Sequence, residues 1–375
     1  MRRIAGVVLL VIVLFLARPL WEEPLGAYVD LSFLERMDQT IERVMEDPGV
    51  SDAIDSAKEL TVSLGGRFQS MVSDAGEQLP ETEEKPELAA TDSLFAIHNV
   101  TLGMSKEEAQ VQVGLPLRLM RNEYGTDWHS YHQDYQNYSL LSYDKDGRVN
   151  GMYTNQDIIS STTGLTMAST KTQVRESLGT PLTYIQKGRI QYMLDTRDEF
   201  DVFKTDVGYV TVFYDLHEGD TISAVQVVSD SLENSRPSIY AAAGDEVKQG
   251  FELLLFELTN SSRIQRQLPL LKWDEQTRIT ARAHSVDMAE NEFFSHTNLE
   301  GQSPFDRMTE DGIAFQVAGE NLAYGQYSSI FAHEGLMNSL GHRENIVNRD
   351  FGYLGVGAAF NEEDQPYYTA KFFNR

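Results

Sequence analysis

FFSHTNLEGQSP (residues 293–304), AGENLAYG (318–325) and AHEGLMNSLGHRENI (332–346) carry most of the side chains in this chain that could do chemistry. The three clusters centre on His296, Glu320 and His342 and are separated by helix-forming stretches. One folded unit can therefore gather two imidazoles and a carboxylate, a mixture suited to metal binding or acid–base work.

Working outward, an apolar helix is expected from Tyr240, with Phe251, Leu254, Leu255 and Leu258 as its buried stripe. Pro269 breaks that pattern, and Asp274 is placed to cap the next helix, whose expected apolar face is Ile279, Ala283, Val286 and Met288. After the third cluster, Leu354–Phe360 and Tyr367–Phe373 read as strands of a hairpin joined by 361–366. Helices mixed with antiparallel strands make residues 240–375 an α+β domain.

In this order, FSHTN, GEN, LMNSLGHRENI, GVGAAF and YYTAKFF resemble the CAP superfamily in its bacterial SCP-like form, from about Val247 to Phe373. The resemblance implies an α-β-α sandwich and a cleft lined by two histidines and two acidic residues. His296, Glu320 and His342 fall on three of those positions. The fourth falls on Ser339, with Glu334 as a candidate substitute for the missing acid. Two imidazoles with carboxylates permit Zn²⁺ or another divalent ion, held by His296 and His342, with water in an open position. The same residues also suit a polar network that only fixes loops. No HExxH pair and no GxSxG elbow occurs, so Ser295 and Ser339 read weakly as nucleophiles. Asn298, Asn321, Asn338 and Asn345 read as loop and cap residues, and Asp306-Arg307 as an ion pair or helix surface.

Residues 94–232 hold an internal repeat. Ser105-Lys106 recurs as Thr170-Lys171, and Val113-Gly-Leu-Pro116 as Leu178-Gly-Thr-Pro181. Each copy predicts a short helix opened by a Ser or Thr cap and closed by Gly, followed by strands around the turns at 144–147 and 217–220. Two αββ units are the simplest account. Through LGMSKEEAQVQVGLPLR and YGTDWHSYHQDY this region resembles the CAP-associated N-terminal domain of Bacillus-type proteins. Its aromatic and His cluster Trp128, His129, Tyr131, His132, Tyr135 and Tyr138 invites a ligand-site reading, but the alternation of Trp128, Ser130, His132 against His129, Tyr131 reads rather as a strand with one packed face.

At the N-terminus, Arg2-Arg3 precede the apolar run Ile4–Ala17. Residues 1–21 thus read as a signal peptide or an N-terminal membrane anchor. Residues 30–73 carry helical apolar spacing and read as a stalk, 74–92 as an acidic solvated linker, and Ser235–Ser238 as a second junction. A net charge of −26 over 375 residues argues against nucleic acid as a partner, and the absence of cysteine removes disulfides and thiolate metal sites.

These readings predict a repeat-built α+β domain followed by an α-β-α sandwich, secreted or held on the extracellular face of a membrane by its N-terminal segment. The expected function is binding, without catalysis, of a small apolar or cell-envelope ligand in the His and Glu cleft. The alternative is a metal-dependent hydrolase acting on peptide or envelope substrates.

Overall fold

The computed structural model describes residues 79–375, and the readings made for 1–21, 30–73 and 74–78 lie outside that range. The elements of the first half are β1 (Ala96–Ile97), α1 (Lys106–Val113), β2 (Arg118–Arg121), β3 (Asp127–Gln133), β4 (Gln136–Tyr143), β5 (Val149–Thr154), β6 (Ile159–Ser160), α2 (Lys171–Leu178), β7 (Tyr184–Lys187), β8 (Ile190–Met193), β9 (Phe200–Thr205), β10 (Gly208–Asp215) and β11 (Thr221–Val228). The second half comprises α3 (Asp230–Ser235), α4 (Asp245–Ile264), β12 (Lys272–Trp273), α5 (Glu275–Glu290), α6 (Pro304–Glu310), β13 (Val317–Tyr324), α7 (Ser329–Asn338), α8 (Leu340–Ile346), β14 (Tyr353–Phe360) and β15 (Pro366–Asn374).

The repeat is visible in its capping chemistry. Ser105 opens α1 and Thr170 opens α2, each closing a capping box with Glu108 or Gln173, and each helix ends on a glycine with positive φ. In the main sheet α1 is followed by four strands and α2 by three, rather than the expected two each. β3-β4-β5 and β11-β10-β9 meet at an antiparallel β5–β11 pair in a seven-stranded sheet edged by β2. The short charged run FDVFKT hid β9 from periodicity.

The expectation of one packed face for β3 is also corrected. Trp128, Ser130 and Tyr131 are all fully buried, because the sheet is covered on both sides. Tyr131 packs in the core with Ala109 of α1 and Val174 of α2. Trp128 packs in the opposite core with Leu254 and Leu258 of α4 and Ile330 and Phe331 of α7.

Those two helices also pack against the second sheet, β12-β14-β15-β13. Phe251, Leu255 and Phe256 of α4, with Ala332, Leu336 and Met337 of α7, face Leu354, Val356 and Ala358 of β14. The single apolar stripe expected for α4 is thus two faces, one for each sheet. A helix apolar on nearly all sides is a buried helix. Contact is closest at Gly250, where a Cβ would lie 2.0 Å from the Arg121 carbonyl oxygen of β2.

The outer face of the second sheet is covered by α5, which completes the α-β-α sandwich. Here the sequence expectation is corrected again: Ile279 is 56% exposed, and the buried positions include Thr277, Ala281, Ser285 and Met288. Small residues face β14 because the helix lies against glycines. A Cβ on Gly357 would come within 2.0 Å of the Arg282 backbone nitrogen, so bulk on the helix side would push the layers apart. Asp274 caps α5 as expected, accepting from Thr277 N at 2.8 Å.

Two connections are held by specific bonds. The described part of the acidic stretch is pinned to the β3–β4 turn, with Gln136 donating to Glu81 O (2.7 Å) and Asn137 to Glu84 O (2.9 Å). At the second junction, buried Arg236 bonds Glu233 (3.0 Å), which also pairs with buried Lys187 (2.7 Å).

Candidate functional site

β13 is the edge strand of the second sheet, so segments from both helical layers can meet over it. Glu320 lies mid-strand, directly opposite Lys371 on β15. Lys371 Nζ is 2.6 Å from Glu320 Oε2, and the two side chains are 0% and 1% exposed. Arg307 of α6 adds a second cation, with Nη2 3.0 Å from Oε2 and 3.2 Å from Oε1. Burial alone would raise the Glu320 pKa. The bond from His296 and the charges of Lys371 and Arg307 outweigh burial and hold it at about 2.

His296 belongs to the loop between α5 and α6, and its position is set by three contacts. Its Nδ1–H donates to Glu320 Oε1 at 2.9 Å; the ionised carboxylate can only accept, so Nδ1 carries a proton. Arg307 Nη1 donates to the His296 carbonyl at 2.8 Å. His284, buried on α5, bonds the Ser295 carbonyl at 2.9 Å, and burial pushes its pKa down to about 4. The His296 ring is 51% exposed and so presents Nε2 to solvent.

His342 arrives from the other layer on α8. Asn321 of β13 donates to its carbonyl at 2.9 Å, and Asn345 bonds Asn321 at 2.8 Å. The ring Nδ1 lies 2.7 Å from Ser339 Oγ, so serine at the expected acid position orients this imidazole. Burial, then the neighbouring His296, lower the His342 pKa. The two imidazoles are therefore within electrostatic reach of one another.

The structure thus brings His296, Glu320 and His342 together. Glu334 belongs elsewhere. It points from α7 toward the seven-stranded sheet, where Tyr153 Oη (2.9 Å) and Ser223 Oγ (2.7 Å) donate to it. Burial pushes its pKa up to about 7. Asp306 and Arg307 also part company: Asp306 closes the α6 capping box with Ser303, while Arg307 reaches Glu320. Residues missed in the sequence are Lys371 and His284. For Lys371 a signal existed, because a lysine inside YYTAKFF must either find a buried counter-charge or leave the strand.

Among the described residues no group of three or more His, Asp or Glu side chains is arranged to hold a metal ion. The charge balance gives a reason. Glu320 already faces two cations, His296 Nδ1 is spent on Glu320 and His342 Nδ1 on Ser339. Only the two Nε2 atoms remain, so the set does not fit a carboxylate-assisted divalent site. Beside the cluster lies a cavity of about 430 Å³ with mainly polar walls, including His284, Asn298, Arg307 and Glu310.

Residues 102–238 match the family model described as CAP-associated N-terminal, and residues 256–372 match that of the cysteine-rich secretory protein family. The uncharacterized membrane protein YlbC of Bacillus subtilis is 29% identical over 299 residues, 73% of this chain and 82% of that protein. YkwD of the same organism is 42% identical over 125 residues, 33% of this chain and 48% of that protein. Among solved structures, an extracellular protein containing an SCP domain from Bacillus anthracis superposes with a TM-score of 0.64 at 26% identity, covering 78% of this chain and 100% of that one. A cysteine-rich secretory protein from Staphylococcus aureus shares the fold, with a TM-score of 0.58 at 15% identity over 73% and 91% of the two chains.

Proposed function

The chain joins a CAP-associated N-terminal domain to a domain of the cysteine-rich secretory protein family, and from that premise we propose an extracytoplasmic binding protein whose ligand sits between His296 and His342. The extracytoplasmic reading draws support from the relative named as a membrane protein and the neighbour titled extracellular. No helix among the described residues is long and apolar enough to cross a membrane. Any membrane attachment is assigned to residues 1–21.

The observation that carries the binding reading is the oriented His296 ring. A buried carboxylate neutralised by Lys371 and Arg307 holds this exposed imidazole by its protonated Nδ1, with Nε2 outward beside a second imidazole. Such a pair accepts and donates hydrogen bonds at fixed positions. The neighbouring cavity is polar and is lined by Arg307, though by neither imidazole; a ligand reaching from the rings into it is a hydrogen-bonding fragment of the cell envelope rather than a small apolar molecule. A metal-dependent hydrolase would need Glu320 as a ligand or base. A carboxyl held at a pKa of about 2 by two cations is a weak base, which counts against that reading.

The test is imidazole NMR of the full-length protein titrated with soluble envelope fragments, muropeptides being the first probe. The His296 and His342 ring signals and the backbone amides of Thr297 and Gly341 should shift saturably, and the amide response should vanish in the H296A/H342A protein. Ring signals that stay unchanged with every fragment would refute the assignment.

A further inference from the structure

A second groove lies away from the His296 cluster, at the seam between the two halves of the chain. It is an open cavity of about 280 Å³ between the β7–β8 hairpin with its following loop and the segment linking β13 to α7. Tyr192, Tyr240, Tyr324 and Tyr327 line it above a floor that includes Phe331. Phe331 is fixed by edge contacts with Phe200 and Phe213 at 5.1 and 4.9 Å, so the floor is rigid. Tyr324 is 39% exposed and its hydroxyl bonds Gln365 at 2.6 Å, which ties the ring in place.

The charges in this groove are unbalanced. Asp195 and Glu199 line it against a single cation, Arg197, while Glu334, also in the lining, has its pKa raised to about 7 by burial. Glu334 is satisfied by Tyr153 and Ser223, and Arg197 Nε is spent on Asp195 at 3.1 Å. Glu199 is different. Its backbone is bonded on both sides, to Thr196 O and from Tyr214 N, which anchors the residue, yet its half-buried carboxylate makes no side-chain hydrogen bond or ion pair among the described residues. The facing helix carries glycine at position 335, where a Cβ would stand 3.6 Å from Glu199 Oε2. Glycine inside a helix costs about 1 kcal/mol relative to alanine, and here it leaves the space above the carboxylate open.

Tyrosine rings lining one groove with a partly desolvated carboxylate, which Arg197 compensates only without direct contact, complement one chemistry, an organic ammonium, through ring quadrupoles and charge together. We propose that this groove binds a ligand carrying a primary or quaternary ammonium group, with Glu199 as counter-ion and Tyr192, Tyr240 and Tyr324 as the wall. Tyr327 is left out of that wall because Arg236 already lies over its ring at 5.3 Å. The site is separate from the His296 cleft and takes a different ligand class.

The test uses the full-length protein and two pairs of probes: choline against its neutral isostere 3,3-dimethyl-1-butanol, and n-butylammonium against n-butanol. Backbone amide shifts of Tyr324, Gly325 and Gly335 report occupancy. At least one ammonium should shift them saturably, and the tighter of the two identifies the primary or quaternary source. Its neutral partner should bind at least tenfold more weakly. E199Q, with an unchanged melting temperature, should weaken the ammonium at least tenfold, and Y324A should weaken it in parallel. Equal binding of the neutral isosteres would reduce the groove to an apolar depression and overturn the proposal. So would an unaffected E199Q protein, or the absence of saturable shifts with both ammonium probes.

Discussion

Lys371 Nζ and Glu320 Oε2 lie 2.6 Å apart across the β15–β13 pair, with both side chains withdrawn from water. Taking one charge from such a pair leaves the other buried and undercompensated. Arg307 retains part of the compensation for Glu320, so K371M should destabilise the fold by about 3 kcal/mol, the low end for breaking a buried pair. The double change K371M/E320L removes the pair together but takes the carboxylate from buried Arg307 as well, so it should recover only part of that loss while releasing His296. Chemical denaturation of the two proteins makes the comparison, and a K371M protein as stable as the parent would contradict the pairing.

Two carboxyl groups give stability opposite slopes with pH. Glu320 is held at about 2 against an ordinary 4.5, so its contribution is present above pH 4.5 and is lost as pH falls toward 2. Glu334 is raised to about 7, so its contribution is complete below pH 4.5 and is lost as pH rises through 7. Each effect is on the order of 3 kcal/mol. Between pH 4.5 and 6.5 the Glu334 slope is opposed by buried histidines held low, His132 and His284 at about 4 and His333 at about 3, whose contribution grows as pH rises toward 6.5. The comparison with E334Q isolates Glu334, because the glutamine keeps a neutral partner for Tyr153 and Ser223: stability of the parent relative to E334Q should fall from pH 4.5 to 7. A parent-to-E334Q difference that stays constant across that interval would show that Glu334 is not held protonated.

Gly250 is where α4 touches β2. A methyl group there meets the Arg121 backbone, which cannot turn aside as a side chain can. G250A should cost about 2–3 kcal/mol by overpacking, although alanine favours the helix. Because α4 serves both sheets, unfolding of the G250A protein should shift the fluorescence transitions of Trp128 and Trp273 together. Separate transitions for the two tryptophans would mean that the layers do not share one core.

Stoichiometric Zn²⁺ at pH 7 should leave the melting temperature unchanged, since preferential binding to the folded state is required for any shift and Glu320 is already neutralised. A clear upward shift, abolished in H296A/H342A, would restore the metal site.

Three of the clustered polar residues were legible in the chain. His296, Glu320 and His342 stand in short polar clusters, each bounded by helix or strand signals, and they converge because β13 is an edge strand that both helical layers can reach. The caps at Ser105, Thr170 and Asp274 were readable because each is settled by residues three apart, and the β14–β15 hairpin because its two strands are neighbours in the chain, joined by a short turn.

Long-range facts were not readable in that way. Glu334 and His342 sit on adjoining short helices of one motif, yet Glu334 faces Tyr153 and His342 lies beside His296. Only the crossing of α7 between two sheets decides this. Periodicity finds an apolar stripe but not its partner, and Phe251 and Leu254 on α4, three residues apart, serve different cores. The amino-acid sequence by itself determined which side chains are available and which local turns and caps hold them. The tertiary structure decided which charges neutralise one another, because a buried carboxylate takes its pKa from groups such as Lys371 and Arg307 that only folding brings near.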